Sequence, residues 1–534
     1  MASDQAGARG ACARFRRMPK GASMPASRGS GPAGPGLSRI SASQLYDFAV
    51  CEHRIALDVA LDRSRRAPPD EPLRLLMRRG LAIEEQLARQ LGYETVSYAP
   101  DRPEEAFHRT LELMRGGVRG VYQGVLLSDR RIAIPDLLRR TDGPSGLGAF
   151  HYIPGDIKSG LEPRTDQVLQ VVFSAGLLET IQAFRPRRGF LLLGDGTESE
   201  FAIEDVWDSA ALATSHLEAV ADGNRESAPF LSEHCARCRW RGECLPLLSQ
   251  GPDLSNVSGM TRTRRRVLVR HGVTTARELA ALSDARVIAM ERDGASVEGL
   301  GALQRQARAF VGGEIHVRRH RPSSRVASAL NRGAGLSEHF VIAERDPLGG
   351  GEPFLFGYAS RTSAGEAVDR TEVLLAATDA DRAEILRLLL EWIGEGDALL
   401  YHWGPSVPRS FARIADRVGV DAGRLGRIEA RFLDLAPIVR SAAFLPVRRY
   451  TFAEVEAVLS GRELPDLQAP ADELWVWFEN HRAARAEDAP GLGGAVAGEA
   501  DGEWLRGIER RVREALSGLV SIRDWVGRTL RTSR

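Results

Sequence analysis

Four cysteines at the two ends of one long stretch of this chain restrict how that stretch can fold. Cys235, Cys238 and Cys244 form a Cys-x2-Cys-x5-Cys motif, and Cys51 lies far upstream. Thiolates at such short spacing favour a soft metal centre, and disulfides are rare in a reducing cytoplasm. A four-thiolate site needs one more ligand, and Cys51 is the remaining cysteine in the part expected to fold, because Cys12 lies in the N-terminal tail. The sequence therefore predicts a metal centre that draws on Cys51 and the three later cysteines.

Length and composition limit the class of protein. At 534 residues the chain is too long for one hydrophobic core and predicts about three or four domains. The apolar fraction of 43% is that of a soluble globular protein. No window approaches twenty uncharged apolar residues, so we expect no membrane span and no membrane partner. The net charge of +1 means that any nucleic-acid surface must be a local patch. The sequence contains no apolar signal-peptide core, so the cytoplasm is the expected compartment.

Composition and pattern divide the chain into five parts. Residues 1–37 are rich in Arg, Gly, Ala, Pro and Ser and are predicted to be a disordered tail, with a transit peptide as the alternative. Residues 38–250 are predicted to form one α/β domain, residues 251–315 a module of short helices, and residues 316–335 a basic linker. Residues 336–534 are predicted to form a second α/β region.

Lysine is nearly absent from the chain, and one lysine stands in a chemically suggestive position. Of 72 lysines and arginines, only Lys20 and Lys158 are lysines, and Lys20 lies in the tail. A site that keeps lysine where arginine dominates needs a compact ammonium whose proton can move. Asp156 precedes Lys158 by two residues, and Asp136 precedes Asp156 by twenty. Two carboxylates and a lysine at this spacing favour metal-assisted cleavage of a phosphodiester.

The local pattern explains how these residues would meet. Two β-like runs, 131–138 and 149–157, are joined by a turn-rich stretch at 141–146 and predict a hairpin. Alternation places Asp156 and the lysine on one face, and antiparallel pairing would bring Asp136 beside Asp156. Adjacent carboxylates repel unless a cation bridges them, and Mg²⁺ is the usual cation for oxygen ligands. The lysine would orient the attacking water or neutralise developing charge. Alternatively, the acids are ordinary turn or strand-end residues and the lysine is solvated.

The pattern resembles the RecB-like members of the PD-(D/E)xK nuclease superfamily. Upstream, Gly80 begins a segment that resembles the family's Gly-x-x-His-Glu helix motif, with Ile83 in place of the histidine and Glu84 at the acid. Downstream, Gln170 lies on a predicted buried helix and matches the glutamine that follows the lysine in the family. Ser174 stands where an aromatic residue is usual.

The resemblance implies a restriction-endonuclease-like core in the first α/β domain. It implies Mg²⁺ or Mn²⁺ as the catalytic ion, held by two acids with Glu84 as a possible third ligand. The residues that it assigns to catalysis are Asp136, Asp156, Lys158 and Gln170, and those that it assigns to the ion are Glu84, Asp136 and Asp156. Because Ile83 stands where the family has a histidine, one potential metal ligand is missing, and Glu84 could compensate for it. A solvated helix residue is the alternative for Glu84.

One cysteine before the core and three after it is the arrangement of RecB-like nucleases that carry a [4Fe–4S] cluster. The resemblance therefore implies such a cluster on Cys51, Cys235, Cys238 and Cys244, tying the two ends of the domain together and contributing folding energy. Structural Zn²⁺ on the same four thiolates is one alternative. Unrelated buried cysteines are the other. The spacing indicates a metal, and the resemblance identifies it.

Two further resemblances concern the rest of the chain. Segments 254–260 and 271–275 look like a helix-hairpin-helix insert, which would offer backbone amides to phosphates, and Arg262 and the arginines at 264–266 add positive charge. A small helical packing module is the alternative.

The C-terminal α/β region resembles the RNase H-like exonuclease domain that follows the RecB-like domain in one bacterial family. Glu344, Asp346, the segment 401–404 and Asp434 lie near the positions of its motifs. A two-metal site needs four acids, and too few remain at the expected positions here. We expect this domain to be catalytically inactive, with a structural or nucleic-acid-binding role.

Together these features predict a Mg²⁺-dependent nuclease in DNA repair or recombination. Its expected partner is nucleic acid, DNA in preference to RNA, and a helicase is compatible with the resemblance. The alternative is a catalytically inactive nucleic-acid-binding or scaffold protein that retains the nuclease fold, which Ile83 in place of histidine favours.

Overall fold

The structure, a computed structural model, describes residues 39–250, 253–292, 299–318, 337–347, 351–363, 365–394, 398–467, 473–487 and 497–532. Within these ranges the chain is a mixed α/β protein, which confirms the predicted class. The described strands form sheets of six, three, two and five strands. None of the described helices is both long enough and apolar enough to cross a membrane. The predicted tail, residues 1–37, lies outside the described residues.

Helices of the first α/β region begin at capping residues. The Ser41 hydroxyl accepts a hydrogen bond from the Gln44 backbone N–H, and the Gln44 side chain accepts one from the Ser41 N–H, which together form a capping box. Asp70 caps a longer helix that has Pro72 in its first turn. The helices are α1 (Ala42–Val50), α2 (Glu52–Ala60), α3 (Glu71–Leu91), α4 (Pro103–Arg115), α5 (Thr165–Gln182), α6 (Glu204–Ala221) and α7 (Arg241–Gln250), with short 3-10 helices at Arg63–Arg65 and Glu233–Arg237.

The strands of this region form a larger and a smaller sheet. They are β1 (Ile40–Ser41), β2 (Glu94–Thr95), β3 (Gly120–Tyr122), β4 (Leu126–Leu127), β5 (Arg131–Ala133), β6 (Leu137–Ser145), β7 (Gly148–Lys158), β8 (Arg188–Leu193) and β9 (Glu198–Ala202). The six-stranded sheet has the order β2-β3-β6-β7-β8-β9, and the three-stranded sheet has the order β1-β5-β4. In the larger sheet β2 is parallel to β3 and β7 is parallel to β8, whereas the other neighbours are antiparallel.

The predicted run 131–138 is not one strand, which corrects the first half of the predicted hairpin. β5 and β6 belong to different sheets and are separated by Ile134, Pro135 and Asp136. Pro135 has no N–H to donate to a ladder, so the chain can change sheets there. Asp136 therefore lies at the entrance to β6.

The turn of the hairpin is also displaced from its predicted position. The sequence predicts a turn at 141–146, but residues 141–145 belong to β6 and the reversal lies at Gly146 and Leu147. The register shifts between Asp142 and Ser145. Gly143 has φ 136° there, which lets the strand accommodate Gly143 and Pro144 as an irregularity. Turn-forming residues can thus mark a bulge instead of a reversal.

Two helices cover opposite faces of the six-stranded sheet. α5 is buried through Val172 and Leu178 and packs with Tyr152 of β7. α3 packs through Leu87 with Ile157 and other odd-numbered residues of β7. Since side chains alternate along a strand, Asp156 and Lys158 lie on the α5 face of the sheet.

Gly155 allows β7 to pack closely against β8. A Cβ at this position would overlap the Phe190 ring, whereas a Cβ at Gly160 would meet nothing nearer than the Glu162 carbonyl oxygen at 3.9 Å. We expect Gly155→Ala to lower the free energy of unfolding by about 2 kcal/mol, because a buried ring must shift. Gly160→Ala is the matched control and should change it by less than about 0.5 kcal/mol. Urea unfolding curves measure both, and equal stabilities would contradict this packing.

The predicted helical module is observed between the two α/β regions. It comprises a 3-10 helix (Leu254–Asn256), α8 (Arg262–Arg270), α9 (Ala276–Ala281), α10 (Asp284–Arg292) and α11 (Leu300–Gly312). These helices share a core that includes Leu254, Leu268, Leu279 and Leu303. Gly259 and Gly272 have φ of 88° and 77°, a left-handed conformation that glycine adopts readily at turns.

The second α/β region is built on a five-stranded sheet. Its strands are β11 (Glu338–Arg345), β12 (Pro353–Arg361), β13 (Arg370–Leu375), β14 (Leu399–His402) and β15 (Phe432–Asp434), in the order β13-β12-β11-β14-β15. β11, β12 and β13 are antiparallel neighbours, whereas β14 runs parallel to β11 and to β15. The helices are α12 (Asp379–Ile393), α13 (Ser406–Val418), α14 (Ala422–Glu429), α15 (Leu435–Ala442), α16 (Phe452–Leu459), α17 (Glu473–Glu487) and α18 (Ala497–Thr532).

The start of the predicted linker is instead a strand. β10 (His316–Val317) pairs antiparallel with β16 (Ala443–Phe444) in the second α/β region. The Arg318 backbone N–H extends this pairing to the Ala442 carbonyl oxygen at 2.8 Å. The polar and basic composition of this segment did not predict a strand, because short edge strands tolerate polar residues. Residues 319–335 of the predicted linker lie outside the described residues.

Candidate active site and cysteine cluster

The β6–β7 hairpin brings together Asp136, Asp156 and Lys158. Leu137 pairs with Gly155 in the antiparallel register, so Asp136, one residue before β6, lies opposite Asp156. Asp156 and Lys158 are two residues apart on one strand and form an ion pair of 3.2 Å between Nζ and Oδ2. Asp156 is 7% exposed. The side chains therefore adopt the arrangement predicted from strand alternation and pairing.

Backbone hydrogen bonds fix both carboxylates. The Ile157 N–H donates to Asp136 Oδ2 at 2.7 Å, and the Asp136 N–H donates to Asp156 Oδ1 at 3.3 Å. Each acid thus accepts a hydrogen bond from the strand that carries the other. Such bonds hold two like charges together at a cost in repulsion, which a bound cation would relieve.

The closeness of these charges changes the pKa values of Asp136 and Lys158. The Asp136 carboxyl group is enclosed by protein although the residue as a whole is only partly buried, and burial followed by the charge of Asp156 raises its pKa well above the usual range. Burial alone would lower the pKa of Lys158, but the carboxylates of Asp156 and Asp136 outweigh it and raise the pKa. The site is rich in negative charge and retains one cation.

Glu84 approaches these acids from α3, on the other face of the sheet. The Tyr122 hydroxyl donates to Glu84 Oε1 at 2.8 Å, and Gln123 Nε2 donates to the same oxygen at 3.0 Å. The charge of Glu84 contributes to the raised pKa values of Asp136 and Lys158. Glu84 is therefore a fixed member of the acidic site and not a freely solvated residue.

Tyr122 and Gln123 are site residues that the sequence pattern did not reveal. Gln123 has φ 54°, a left-handed conformation that is costly for a residue with a side chain. Its backbone N–H donates to the Asp136 carbonyl oxygen at 2.9 Å while its side chain bonds Glu84. One strained residue thus links the two sides of the site.

Two residues of the predicted motifs point away from this centre. Ile83 packs in the apolar cluster that contains Leu137 and Ile157, so it acts as a core residue where a histidine was expected. Gln170 lies on α5 and donates a long hydrogen bond of 3.5 Å to the Ala42 carbonyl oxygen. That contact ties α5 to α1, and a direct contact between Gln170 and the acids is not observed among the described hydrogen bonds.

The donor set suits a cation that keeps most of its water. Across the described residues, no three His, Cys, Asp or Glu side chains converge closely enough to form a ready-made site for one ion. Mg²⁺ typically uses one or two carboxylates together with waters and substrate phosphates. Asp136 and Asp156 would supply the two carboxylates, with Glu84 as a further acid nearby. The residues present fit Mg²⁺ or Mn²⁺ and fit a fully caged ion poorly.

The four cysteines predicted to hold a metal group lie around one cavity. Cys51 lies between α1 and α2, Cys235 in the 3-10 helix before α7, Cys238 just after it, and Cys244 in α7. All four are free thiols and all four line one cavity. The two distant parts of the chain therefore contribute to a single thiol-lined cavity.

The thiols influence one another electrostatically. Burial, followed by the charges of Cys238, Cys51 and Cys235, raises the pKa of Cys244 to about 12. Burial likewise raises the pKa of Cys238. A cation that replaces the thiol protons would remove this repulsion and release the protons.

Four thiols around one cavity suit a soft metal group. A single tetrahedral Zn²⁺ and an iron–sulfur cluster both take four thiolate ligands. The residues present therefore fit either group.

Hydrogen bonds hold the cysteine segment independently of any metal. Trp240 Nε1 donates to Asp58 Oδ1 at 2.7 Å, and Arg66 Nε donates to the same oxygen at 3.0 Å. The Ala67 N–H donates to the Arg239 carbonyl oxygen at 2.7 Å, and Arg239 Nε donates back to Ala67 at 3.0 Å. These bonds join α2 and the segment after it to the segment before α7.

The acids at the predicted C-terminal motifs have structural partners. Asp434 Oδ1 accepts the Ala436 N–H at the start of α15 and the Gly404 N–H in the loop after β14, both at 2.9 Å. Asp346 forms an ion pair of 2.9 Å with Arg79. A further acid of this region, Asp524 in α18, forms one of 2.6 Å with the buried Arg361. Carboxylates that a two-metal site would need are thus engaged in holding the fold.

Comparison of the chain with protein-family models and with curated proteins found no match. The function is therefore inferred from the chemistry of the two sites. One site is an acid–lysine centre on the β6–β7 hairpin. The other is a four-thiol cavity formed by the first and last segments of the same α/β region.

Proposed function

We propose that this protein is a metal-dependent nuclease that hydrolyses phosphodiester bonds of DNA. The observation that carries the proposal is the contact between Asp136, Asp156 and the only lysine outside the N-terminal tail, Lys158, with Glu84 held nearby. Two crowded carboxylates beside an ammonium are suited to an anionic substrate brought in with a divalent cation.

The fold supports a PD-(D/E)xK core in the first region. An antiparallel hairpin, a buried helix and a strand parallel to the second hairpin strand follow one another as β6, β7, α5 and β8. The five-stranded sheet of the second region, with three antiparallel strands and two further parallel ones, supports an RNase H-like domain. Because Asp346, Asp434 and Asp524 have structural partners, that domain is proposed to be inactive.

Each residue of the site has a chemical role in the proposed reaction. Asp136 and Asp156 hold the divalent ion, and Glu84, oriented by Tyr122 and Gln123, adds negative charge beside it. When bound, the ion polarises the phosphate and lowers the pKa of a coordinated water. The Lys158 ammonium orients the attacking water and neutralises charge that develops on the phosphorane. Gln170 is proposed to help hold α5 against α1, through its hydrogen bond to the Ala42 carbonyl oxygen, and to take no direct part at the acids.

The four thiols are proposed to hold a [4Fe–4S] cluster, with structural Zn²⁺ as the alternative. The cluster would be structural, since it would join α1–α2 to the segment before α7. The acid–lysine centre is formed by residues of other elements, so the cluster is expected to act on folding and not on the chemical step.

Incubation of anaerobically purified protein with labelled single- and double-stranded DNA tests the proposed activity. Cleavage is expected with Mg²⁺ or Mn²⁺ and should stop on addition of EDTA. Protein carrying both Asp136→Asn and Asp156→Asn, purified in the same way, is the control for contaminating nucleases. Absence of cleavage in the wild type would favour the second candidate function, an inactive nucleic-acid-binding protein, which the apolar packing of Ile83 also favours.

A further inference from the structure

Helix α3 is shared between the two α/β regions. In its first half, Leu75 and Leu76 pack against the apolar core of the second region. In its second half, Ile83 and Leu87 pack in the core beneath the β6–β7 hairpin. A continuous hydrogen-bonded helix of 21 residues thus connects the two cores.

Arg79, in the middle of α3, is the polar anchor of this helix on the second region. Its Nη1 lies 2.9 Å from Asp346 Oδ2 and 3.1 Å from Glu479 Oε1. Its guanidinium also lies over the Trp475 ring, 5.7 Å from the centroid. The Glu479 side chain is 8% exposed. The charge-assisted hydrogen bonds are therefore stronger than those of a solvent-exposed ion pair.

Glu84 follows Arg79 by five residues on the same helix. Helix geometry places it about 7.5 Å further along the axis and about 140° around it. Arg79 therefore points to the second region while Glu84 points to the acidic site. There Tyr122 and Gln123 donate hydrogen bonds to the Glu84 carboxylate. A shift of α3 along its axis, or a rotation about that axis, would move this carboxylate relative to Asp136.

We infer that the second α/β region positions Glu84 for metal binding through α3, with Arg79 as the positioning residue. The inference rests on the proposed function in one respect, namely that Glu84 faces the bound ion. It gives the catalytically inactive region a role in the reaction, since its Asp346 and Glu479 hold the helix that carries an active-site acid.

Binding of Mn²⁺ tests this inference without reference to cleavage. Free Mn²⁺ gives a paramagnetic resonance signal that is lost on binding, so titration yields a dissociation constant for each variant. We expect Arg79→Met to bind Mn²⁺ about tenfold more weakly, in the range typical for residues that orient ligands. Arg78→Met, which removes an exposed arginine from the adjacent position, should bind like the wild type. Arg79→Lys should give an intermediate constant, because an ammonium retains the charge without the fork of donors.

A double-mutant cycle separates positioning from general loosening of the fold. If Arg79 acts through Glu84, Arg79→Met should add less than twofold to the loss in a Glu84→Gln background. Asp346→Asn perturbs the same anchor from the other region and should reproduce the weaker binding, should Arg79→Met fail to fold. Equal affinities of Arg79→Met and Arg78→Met, or full additivity with Glu84→Gln, would overturn the inference. Absence of Mn²⁺ binding by the wild type would instead refute the proposed metal site, and the inference with it.

Discussion

Replacing Lys158 by arginine is expected to lower the rate of DNA cleavage by about 10³-fold. The Lys158 ammonium lies 3.2 Å from Asp156 Oδ2 and, with 21% of its side chain exposed, reaches the open side of the site. A guanidinium keeps the charge, but it is larger and planar, and it cannot lose its proton at accessible pH. It would displace the water that the ammonium orients. Loss of one electrostatic group at a reacting centre typically costs 10²–10³-fold.

Single-turnover cleavage of labelled DNA with saturating Mg²⁺ measures this effect. Arg164→Lys is the matched control, because it makes the opposite exchange at an arginine whose side chain is 58% exposed, just before α5. It should change the rate by less than about twofold. Lys158→Arg should still bind Mn²⁺, since Asp136 and Asp156 remain. A rate for Lys158→Arg within tenfold of the wild type would show that a compact ammonium is not required.

The acid–lysine contact was predictable because it depends on short-range rules. Strand alternation puts Asp156 and Lys158 on one face whatever the rest of the chain does, and Pro135 marks where β6 can begin. The exact turn was not predictable, because Gly143 and Pro144 occur in turns and in bulges alike. The pairing of Ser145 with Gly148, beyond the Gly-Pro pair, shows that these residues form a bulge here.

The partners of Glu84 depend on contacts between elements distant in sequence. Tyr122 ends a three-residue strand and Gln123 follows it. Nothing local indicates that their side chains meet a helix residue 38 and 39 positions earlier. The sharing of α3 between two cores is equally hidden, since its apolar residues fit one amphipathic helix. Tertiary packing decides which core each half of the helix joins.

Removal of one cysteine ligand is expected to destabilise the first α/β region by about 5 kcal/mol. A cluster on the four thiols would close the long loop from Cys51 to Cys235, and cross-links that close loops of this size contribute about that much by loop-closure entropy. Cys51→Ser should therefore lower the unfolding temperature by about 10–20 °C. The Trp240–Asp58 hydrogen bond and its neighbours remain in the variant, so we expect a folded but labile domain.

Thermal unfolding of anaerobically prepared protein, with analysis of iron, acid-labile sulfide and zinc, checks this prediction and identifies the metal. The wild type should be brown and contain iron and sulfide, and Cys51→Ser should lose both together with its visible absorption. Cys12→Ser is the matched control, because Cys12 lies in the N-terminal tail and is predicted not to be a ligand; it should leave the unfolding temperature and iron content unchanged. A colourless wild type that contains zinc would refute the cluster while keeping the four-thiol site. Unchanged stability of Cys51→Ser would instead show that protein contacts such as the Trp240–Asp58 and Ala67–Arg239 hydrogen bonds hold residues 51 and 235 together without a metal.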